Sequence, residues 1–292
     1  MTSDDTHAQT LELLEKNNYF GMDKNQITIM KQEKVPAMIN NSAHFALQKD
    51  TLLIDTKPHG HGDVHTLLYQ HKLIENWHKQ GKKWVIFFQD TNPLVFRSYP
   101  MVLGVSQEKD FDFNSIATPR KPGEAVGAIT TLVNKYDENN KLIINVEYNM
   151  LEGLFKEMGG EPKDPEGYSL YPGNINSFAI KISSYNDALN KTKGHISEFI
   201  NPKYADETKT AFKSSARLEC LMQDYPKLLP NCDKVGFTDI PKGFCFSTVK
   251  NDLKTAVDKV KKGLSGESAS TCEAEFNYYN RVMLRMCGAQ IE

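Results

Sequence analysis

Apolar positions along this chain recur with two different periods, and the change of period outlines its elements. Leu11, Leu14 and Phe20 fall at roughly helical spacing after Thr6-x-x-Gln9, which resembles a capping box, and Gly21 follows as a stop. Gln26 to Lys31 alternates as a short strand. Val64, Leu67, Leu68, Leu73, Ile74 and Trp77 put one apolar face on a helix from about Asp63 to Gln80, closed by Gly81. Trp84 to Phe88 is unbroken apolar or aromatic and reads as a buried strand. This strand–loop–helix–strand succession predicts an α/β sheet.

Further along, Ala125 to Asn134 and Lys141 to Tyr148 read as strands joined by the polar turn Asp137-Glu-Asn-Asn140. Residues 159–173 are rich in glycine and proline and predict a long surface loop that covers or flanks a pocket. Asn176 to Ile182 predicts another strand, Ser214 to Gln223 a helix, and Cys272 to Cys287 a closing helix with Gly288 just past its end. No internal repeat or shift in composition divides the chain.

Composition narrows the function classes. The 292 residues suffice for one large domain or two ordinary ones. Net charge is −2, and no block of Lys and Arg interleaves with aromatics, which argues against nucleic acid as a partner. No apolar run approaches the length of a membrane span, and the opening Met-Thr-Ser-Asp-Asp is acidic, unlike a signal peptide. Cys220, Cys232, Cys245, Cys272 and Cys287 form no C-x-x-C pair, which suits a reducing cytoplasm better than a disulfide framework.

The candidate chemistry is concentrated in Lys57-Pro-His-Gly-His-Gly-Asp-Val-His65 and in Trp84-Val-Ile-Phe-Phe-Gln-Asp-Thr-Asn92. The first is a glycine-bearing loop that opens a helix, where backbone N–H groups attract phosphate. The second ends on a carboxylate, Asp90, where an α/β sheet places ligand and metal chemistry. Together they point to a nucleotide enzyme. Gly60-x-Gly62-x-x-His65 is not the dinucleotide fingerprint, and no Walker-type loop occurs. His59, His61 and His65 with Asp63 offer zinc-type ligands, but no second His/Cys cluster completes four; histidines that bond a base or phosphate are the competing reading. Asp90 either caps the turn Asp-Thr-Asn-Pro or holds Mg²⁺ against a triphosphate. Glu147, in Ile-Ile-Asn-Val-Glu-Tyr, shares a strand face with Asn145 and needs a partner or a polar ligand. Lys213 is either solvated or aimed at a phosphate. No Gly-x-Ser-x-Gly elbow or electropositive cysteine supports a nucleophile.

Longer motifs carry a resemblance. Met1-Thr-Ser-Asp-Asp-Thr-His7, Lys31-Gln-Glu-Lys-Val35, Lys57–His65, Phe87-Phe-Gln-Asp-Thr-Asn92, Pro119-Arg-Lys121 and Glu124-Ala-Val-Gly127 lie in the first half. Asn145-Val-Glu-Tyr-Asn149, Pro172-Gly-Asn-Ile-Asn176, Asn201-Pro-Lys-Tyr204, Lys209-Thr-Ala-Phe-Lys-Ser-Ser215 and Arg217-Leu-Glu-Cys220 through Gln223-Asp-Tyr-Pro-Lys227 follow. In that order they resemble the UDP-sugar pyrophosphorylases, relatives of the UDP-glucose and UDP-N-acetylglucosamine pyrophosphorylases.

The resemblance implies a Rossmann-like nucleotidyltransferase domain with a mixed, mostly parallel central sheet flanked by helices. It implies formation of a UDP-sugar and pyrophosphate from UTP and a sugar 1-phosphate, with Mg²⁺ as cofactor. By the same resemblance Gln32, Gly60 and His61 hold uracil, Gly127, Glu147 and Asn174 contact sugar hydroxyls, Asp90 lies beside phosphates and metal, and Lys213 binds phosphate. Residues 1–110 would then be the uridine and phosphate half, and 111–292 the sugar-binding half. Family members also carry an N-terminal glycine-rich loop and a C-terminal β-rich domain that have no counterpart here. The expectation is therefore the central part of a catalytic domain, slow by itself, prone to self-association or completed by another segment. A fragment that only binds UDP-sugars is the alternative expectation. A glycosyltransferase that uses a UDP-sugar, suggested by the fold alone, is disfavoured by the motifs at Lys31–Val35 and Arg217–Lys227.

Overall fold

Backbone pairing gathers the apolar runs into two sheets, each within its own unit of the chain. The computed structural model describes residues 1–291 apart from Asn201, Asn231 and Leu264, and the side chains of Asn149, Glu152 and Glu157 also lie outside the described set. Asn201, which opens one matched motif, is thus outside the described residues. Among these residues the strands run in chain order as β1 (Lys34–Met38), β2 (Thr56–Pro58), β3 (Trp84–Phe87), β4 (Phe113–Thr118) and β5 (Ala128–Asn134). They continue as β6 (Asp137–Val146), β7 (Gly173–Lys181), β8 (Glu198–Ile200), β9 (Ala216–Cys220) and β10 (Val235–Asp239).

The first unit comprises Met1–Gly81 and Asn186–Leu228, the second Lys82–Tyr185 and Leu229–Glu292. The chain returns to the first unit within the helix Ile182–Thr192. The first unit holds a four-stranded antiparallel sheet in the order β2-β1-β9-β8. Its helices include Asp63–Gln70 and Leu73–Lys79, which bury Leu67, Leu68 and Ile74.

The second unit holds the larger sheet, in the order β10-β4-β7-β5-β6 with β3 also on β7. All six residues of β4 are buried. One face packs a core of Val95, Tyr99, Val102, Ile116, Ile175, Ala179, Ile240 and Cys245. The sheet is mixed, as expected, but not mostly parallel. Only β10–β4 is a parallel pairing among the described strands, while β4–β7, β3–β7, β5–β7 and β5–β6 are antiparallel. Parallel neighbours need a long crossover, whereas β5 and β6 are joined through two residues and form a hairpin.

Several local expectations are corrected by tertiary structure. The helix predicted over 63–80 breaks at Lys72, whose φ of 54° is left-handed. Gln26–Lys31 contains no strand; Lys24–Gln26 is a 3-10 turn capped by Asp23. Thr6 makes no capping bond to its helix, His7–Lys16. Asp137–Asn140 belongs to β6, and the turn falls at residues 135–136. Residues 216–220 form β9 instead of a helix, because β1 and β8 supply its ladder partners. The strand at 84–87 is not buried on both faces: it pairs only with β7 among the described strands, and Ile86 and Phe88 are 38% and 40% exposed. The closing helix, Ala269–Met286, begins at a Ser268–Thr271 capping box. No helix of the described residues is long and apolar enough to cross a membrane.

Candidate functional site

In the first unit the glycine-bearing loop follows β2 and lies directly against the end of β9. Gly62 donates its N–H to Cys220 O at 3.1 Å, and Cys220 returns its N–H to His59 O at 3.3 Å. The approach leaves no room for side chains on the loop. A Cβ at Gly60 would stand 2.5 Å from Cys220 O, and one at Gly62 2.8 Å from Cys220 Sγ. Gly60 also has φ of +134°, a conformation open to glycine. The first helical amides are already engaged, Asp63, Val64 and His65 donating to the carbonyls of Gly60, His61 and Gly62. The expected phosphate attraction at this helix start therefore has few amides to draw on.

The histidines of the loop separate into different roles. His61 Nδ1 accepts the N–H of Met222 at 3.0 Å, which leaves its proton on Nε2 as a donor. His65 is fully buried, bonds Met222 O at 3.0 Å through Nε2 and stacks on Tyr225. Burial, then the positive charge of Arg217, pushes His61 down to about 4. Burial likewise brings His65 down to about 4, against the opposing effect of its hydrogen bond to the Met222 carbonyl. Both are neutral at pH 7. The three-histidine zinc reading is therefore corrected, since two of the three grip one backbone position on the β9 side.

A cavity of about 250 Å³ opens beside the loop, lined among others by Gln32, His59, Gly62, Asp63, Glu198 and Cys220. Gln32 brings a buried side-chain oxygen with no hydrogen-bond partner. Gly60 and His61 belong to the same loop but are not among the lining residues.

The three residues expected at a sugar come together in the second unit. Asn174, 4% exposed at the start of β7, donates its backbone N–H to Gly127 O at 2.8 Å. Its side-chain amide donates to Asn145 Oδ1 at 3.1 Å, and Asn145 Nδ2 donates to Glu147 Oε1 at 2.8 Å. Gly127 packs so tightly beneath Asn145 that a Cβ would collide with the amide. Glu147 stands one residue past β6 and accepts the N–H groups of Met150 and Leu151 on its carbonyl, at the start of helix Tyr148–Phe155. Asn145, which sequence reasoning did not name as a candidate, links Asn174 to Glu147, and its shared strand face with Glu147 was the available signal.

Asp90 is exposed in the turn after β3, and Lys213 is exposed between the described residue Phe212 and β9. Asp90 lies in the second unit and Lys213 in the first. The glycine- and proline-rich loop at 159–173 is pinned: Arg120, 1% exposed, pairs with Glu161 and donates from Nε to Tyr171 O at 3.1 Å. Ser169 Oγ also donates to Glu161.

The mixed sheet flanked by helices gives the α/β fold of a nucleotidyltransferase. Residues 1–228 match the family model of UTP–glucose-1-phosphate uridylyltransferase. The chain belongs to that family. It is 52% identical over 295 aligned residues to a UDP-sugar pyrophosphorylase of Oryza sativa subsp. indica, a match covering all of this chain and 47% of the relative. It is 48% identical to a UDP-sugar pyrophosphorylase of Arabidopsis thaliana, over all of this chain and 48% of that protein. The chain thus spans about half the length of the curated relatives it matches. Its fold matches the crystal structure of a uridine diphosphate N-acetylglucosamine pyrophosphorylase from Trypanosoma brucei in complex with inhibitor, with a TM-score of 0.67 at 19% identity. That match covers 93% of this chain and 51% of the other.

Proposed function

We propose that this chain acts in transfer of a uridylyl group from UTP to a sugar 1-phosphate, giving a UDP-sugar and pyrophosphate. What carries the reading is the similarity to UDP-sugar pyrophosphorylases along the full chain, and the network through Gly127, Asn145, Glu147 and Asn174 supports it. A fixed amide and a carboxylate side by side offer donors and acceptors to vicinal hydroxyls. In this reading Gln32, with its unpaired buried oxygen, takes an N–H of the uracil edge, and Gly60 and His61 help hold the base. Leaving a buried acceptor unmet is unfavourable by about 1–3 kcal/mol, so a ligand donor there gains affinity. The sugar phosphate oxygen attacks the α-phosphorus in line, forming one P–O bond as the bond to pyrophosphate breaks. Lys213 supplies a positive point charge for the phosphates.

Mg²⁺ suits an exposed carboxylate such as Asp90, since that ion is commonly held by one or two carboxylates and the substrate phosphates. When bound it supplies charge neutralisation at the phosphates, and the residues' own part is positioning. The uridine and phosphate contacts fall mainly in 1–110 and the sugar contacts in 111–292, with Lys213 the exception. Free cysteines suit the cytoplasm as its place of action.

Pyrophosphate release from UTP, Mg²⁺ and glucose 1-phosphate tests the activity, with calorimetry on UDP-glucose alongside. Release dependent on both substrates supports the proposal. Binding of UDP-glucose without release assigns the chain a binding role alone, and neither result leaves the function elsewhere.

A further inference from the structure

The glycine loop and the sheet of the first unit bring together three ligand types that are distant in sequence. His59 and Asp63 are four residues apart across the loop, and Cys220 ends β9. One ligand atom from each lies within 4.8 Å of the others. His59 Nδ1 and Asp63 Oδ1 are 2.6 Å apart, and Cys220 Sγ is 3.7 Å from both. In a tetrahedral zinc site, bond lengths of about 2.0–2.3 Å put neighbouring ligand atoms roughly 3.3–3.7 Å apart. Two of the three separations already match, and the third opens once the proton between His59 and Asp63 is replaced.

The register of the sheet adds a fourth group. Glu198 is the cross-strand partner of Cys220. Its Oε1 stands 3.1 Å from His59 Nε2, the ring nitrogen on the far side from Asp63, within reach of a hydrogen bond that the present orientation does not make. A metal-bound histidine characteristically gives its other N–H to a carboxylate, which fixes ring orientation and raises its basicity. All four residues line the same 250 Å³ cavity, which gives an ion a path in and room for a water as fourth ligand. The close seating of Gly60 and Gly62 on Cys220 is what brings the thiol within reach.

We infer that His59 Nδ1, Asp63 Oδ1 and Cys220 Sγ bind a borderline-soft divalent ion such as Zn²⁺, with Glu198 as a positioning residue acting through His59. Sulfur and imidazole donors select such an ion over Mg²⁺, which takes oxygen. On binding, the Cys220 S–H loses its proton to solvent as the S–Zn bond forms. The proton between His59 Nδ1 and Asp63 leaves as the ion takes both atoms, His59 then carrying its single N–H on Nε2 and any second proton passing to solvent. The ion clamps the loop that carries Gly60 and His61 to β9. The site does not depend on the uridylyltransferase reading, and its test reads no turnover.

The test is a titration of the chelator-stripped full chain with Co²⁺, followed by absorption. The expected result is a one-to-one complex with a thiolate-to-cobalt band in the near ultraviolet and four-coordinate bands in the visible. Cys220→Ser removes the near-ultraviolet band, and Glu198→Gln keeps it with about 10- to 100-fold weaker affinity. Asp63→Asn, which preserves shape, lowers affinity at least tenfold and serves as the check should Cys220→Ser not fold. Absence of a thiolate band in the native chain, or its persistence in Cys220→Ser, overturns the inference. So does unchanged affinity in Asp63→Asn.

Discussion

Gly62 carries more structural weight than its size suggests, because its missing side chain is where Cys220 sits. Gly62→Ala would drive a Cβ to within 2.8 Å of Cys220 Sγ and 2.9 Å of its carbonyl carbon, and backbone cannot yield as a flexible side chain can. We expect a loss of about 1–3 kcal/mol, measured by urea unfolding, and Gly81→Ala as a contrast in which only the positive φ matters. His61 and His65 make a second prediction at this scale. Their folded values of about 4 lie below the ordinary 6.5, so between pH 6.5 and 4 the unfolded chain takes up protons that the folded chain refuses. Stability should be full above pH 6.5 and fall as the pH drops through that window, by about 1.4 kcal/mol per unit of displacement per histidine. His61→Gln, which keeps an acceptor for the Met222 N–H, should flatten the slope. Equal slopes in both proteins would show that His61 takes up its proton as readily in the fold as in the unfolded chain.

Among elements, the connection from β6 to β7 is held by a buried ion pair instead of by strand pairing. Arg120 and Glu161 are 1% and 8% exposed, and Ser169 and Tyr171 complete their hydrogen bonds. Removing one partner leaves a buried charge unpaired, so Glu161→Gln should lower stability by about 3–5 kcal/mol. Thermal unfolding read by circular dichroism checks this, and a change within error would mean that the pair is open to water. The short bridge from Asn174 through Asn145 to Glu147 ties β7 to β6 across β5. Asn145→Ala should release the Glu147 carboxylate and weaken UDP-glucose binding by about tenfold, with folding little changed. Calorimetry on the variant decides this, and unaltered affinity would remove the network from the sugar reading.

For the whole molecule, the exposed edge of the larger sheet bears on behaviour in solution. β3 pairs only with β7 among the described strands, while Ile86, Phe88 and Phe96 are all more than a third exposed. Unpaired strand edges beside apolar surface favour association. Sedimentation over a range of concentrations should show self-association that Ile86→Lys reduces. A monomer at all concentrations would show that this surface is tolerated in water.

The sequence by itself determined the family and the α/β class, because each is written in short local motifs or in an alternation of apolar residues, and its motifs singled out Gly127, Glu147 and Asn174, which the fold brings together. It also singled out the Lys57–His65 loop, part of which lines the cavity of the first unit. Tertiary structure decided the rest. Residues 216–220 of the 214–223 segment became strand because β1 and β8 offered them a ladder, and ladder partners carry no mark in the segment itself. The apolar face over 63–80 buries Leu67, Leu68 and Ile74, but periodicity does not register a left-handed residue such as Lys72. The sheet's antiparallel character depended on which strands met β7, a choice made by long-range packing. Cys220 reached His59 and Asp63 across more than 150 residues of chain, and only two glycines without side chains allowed that approach.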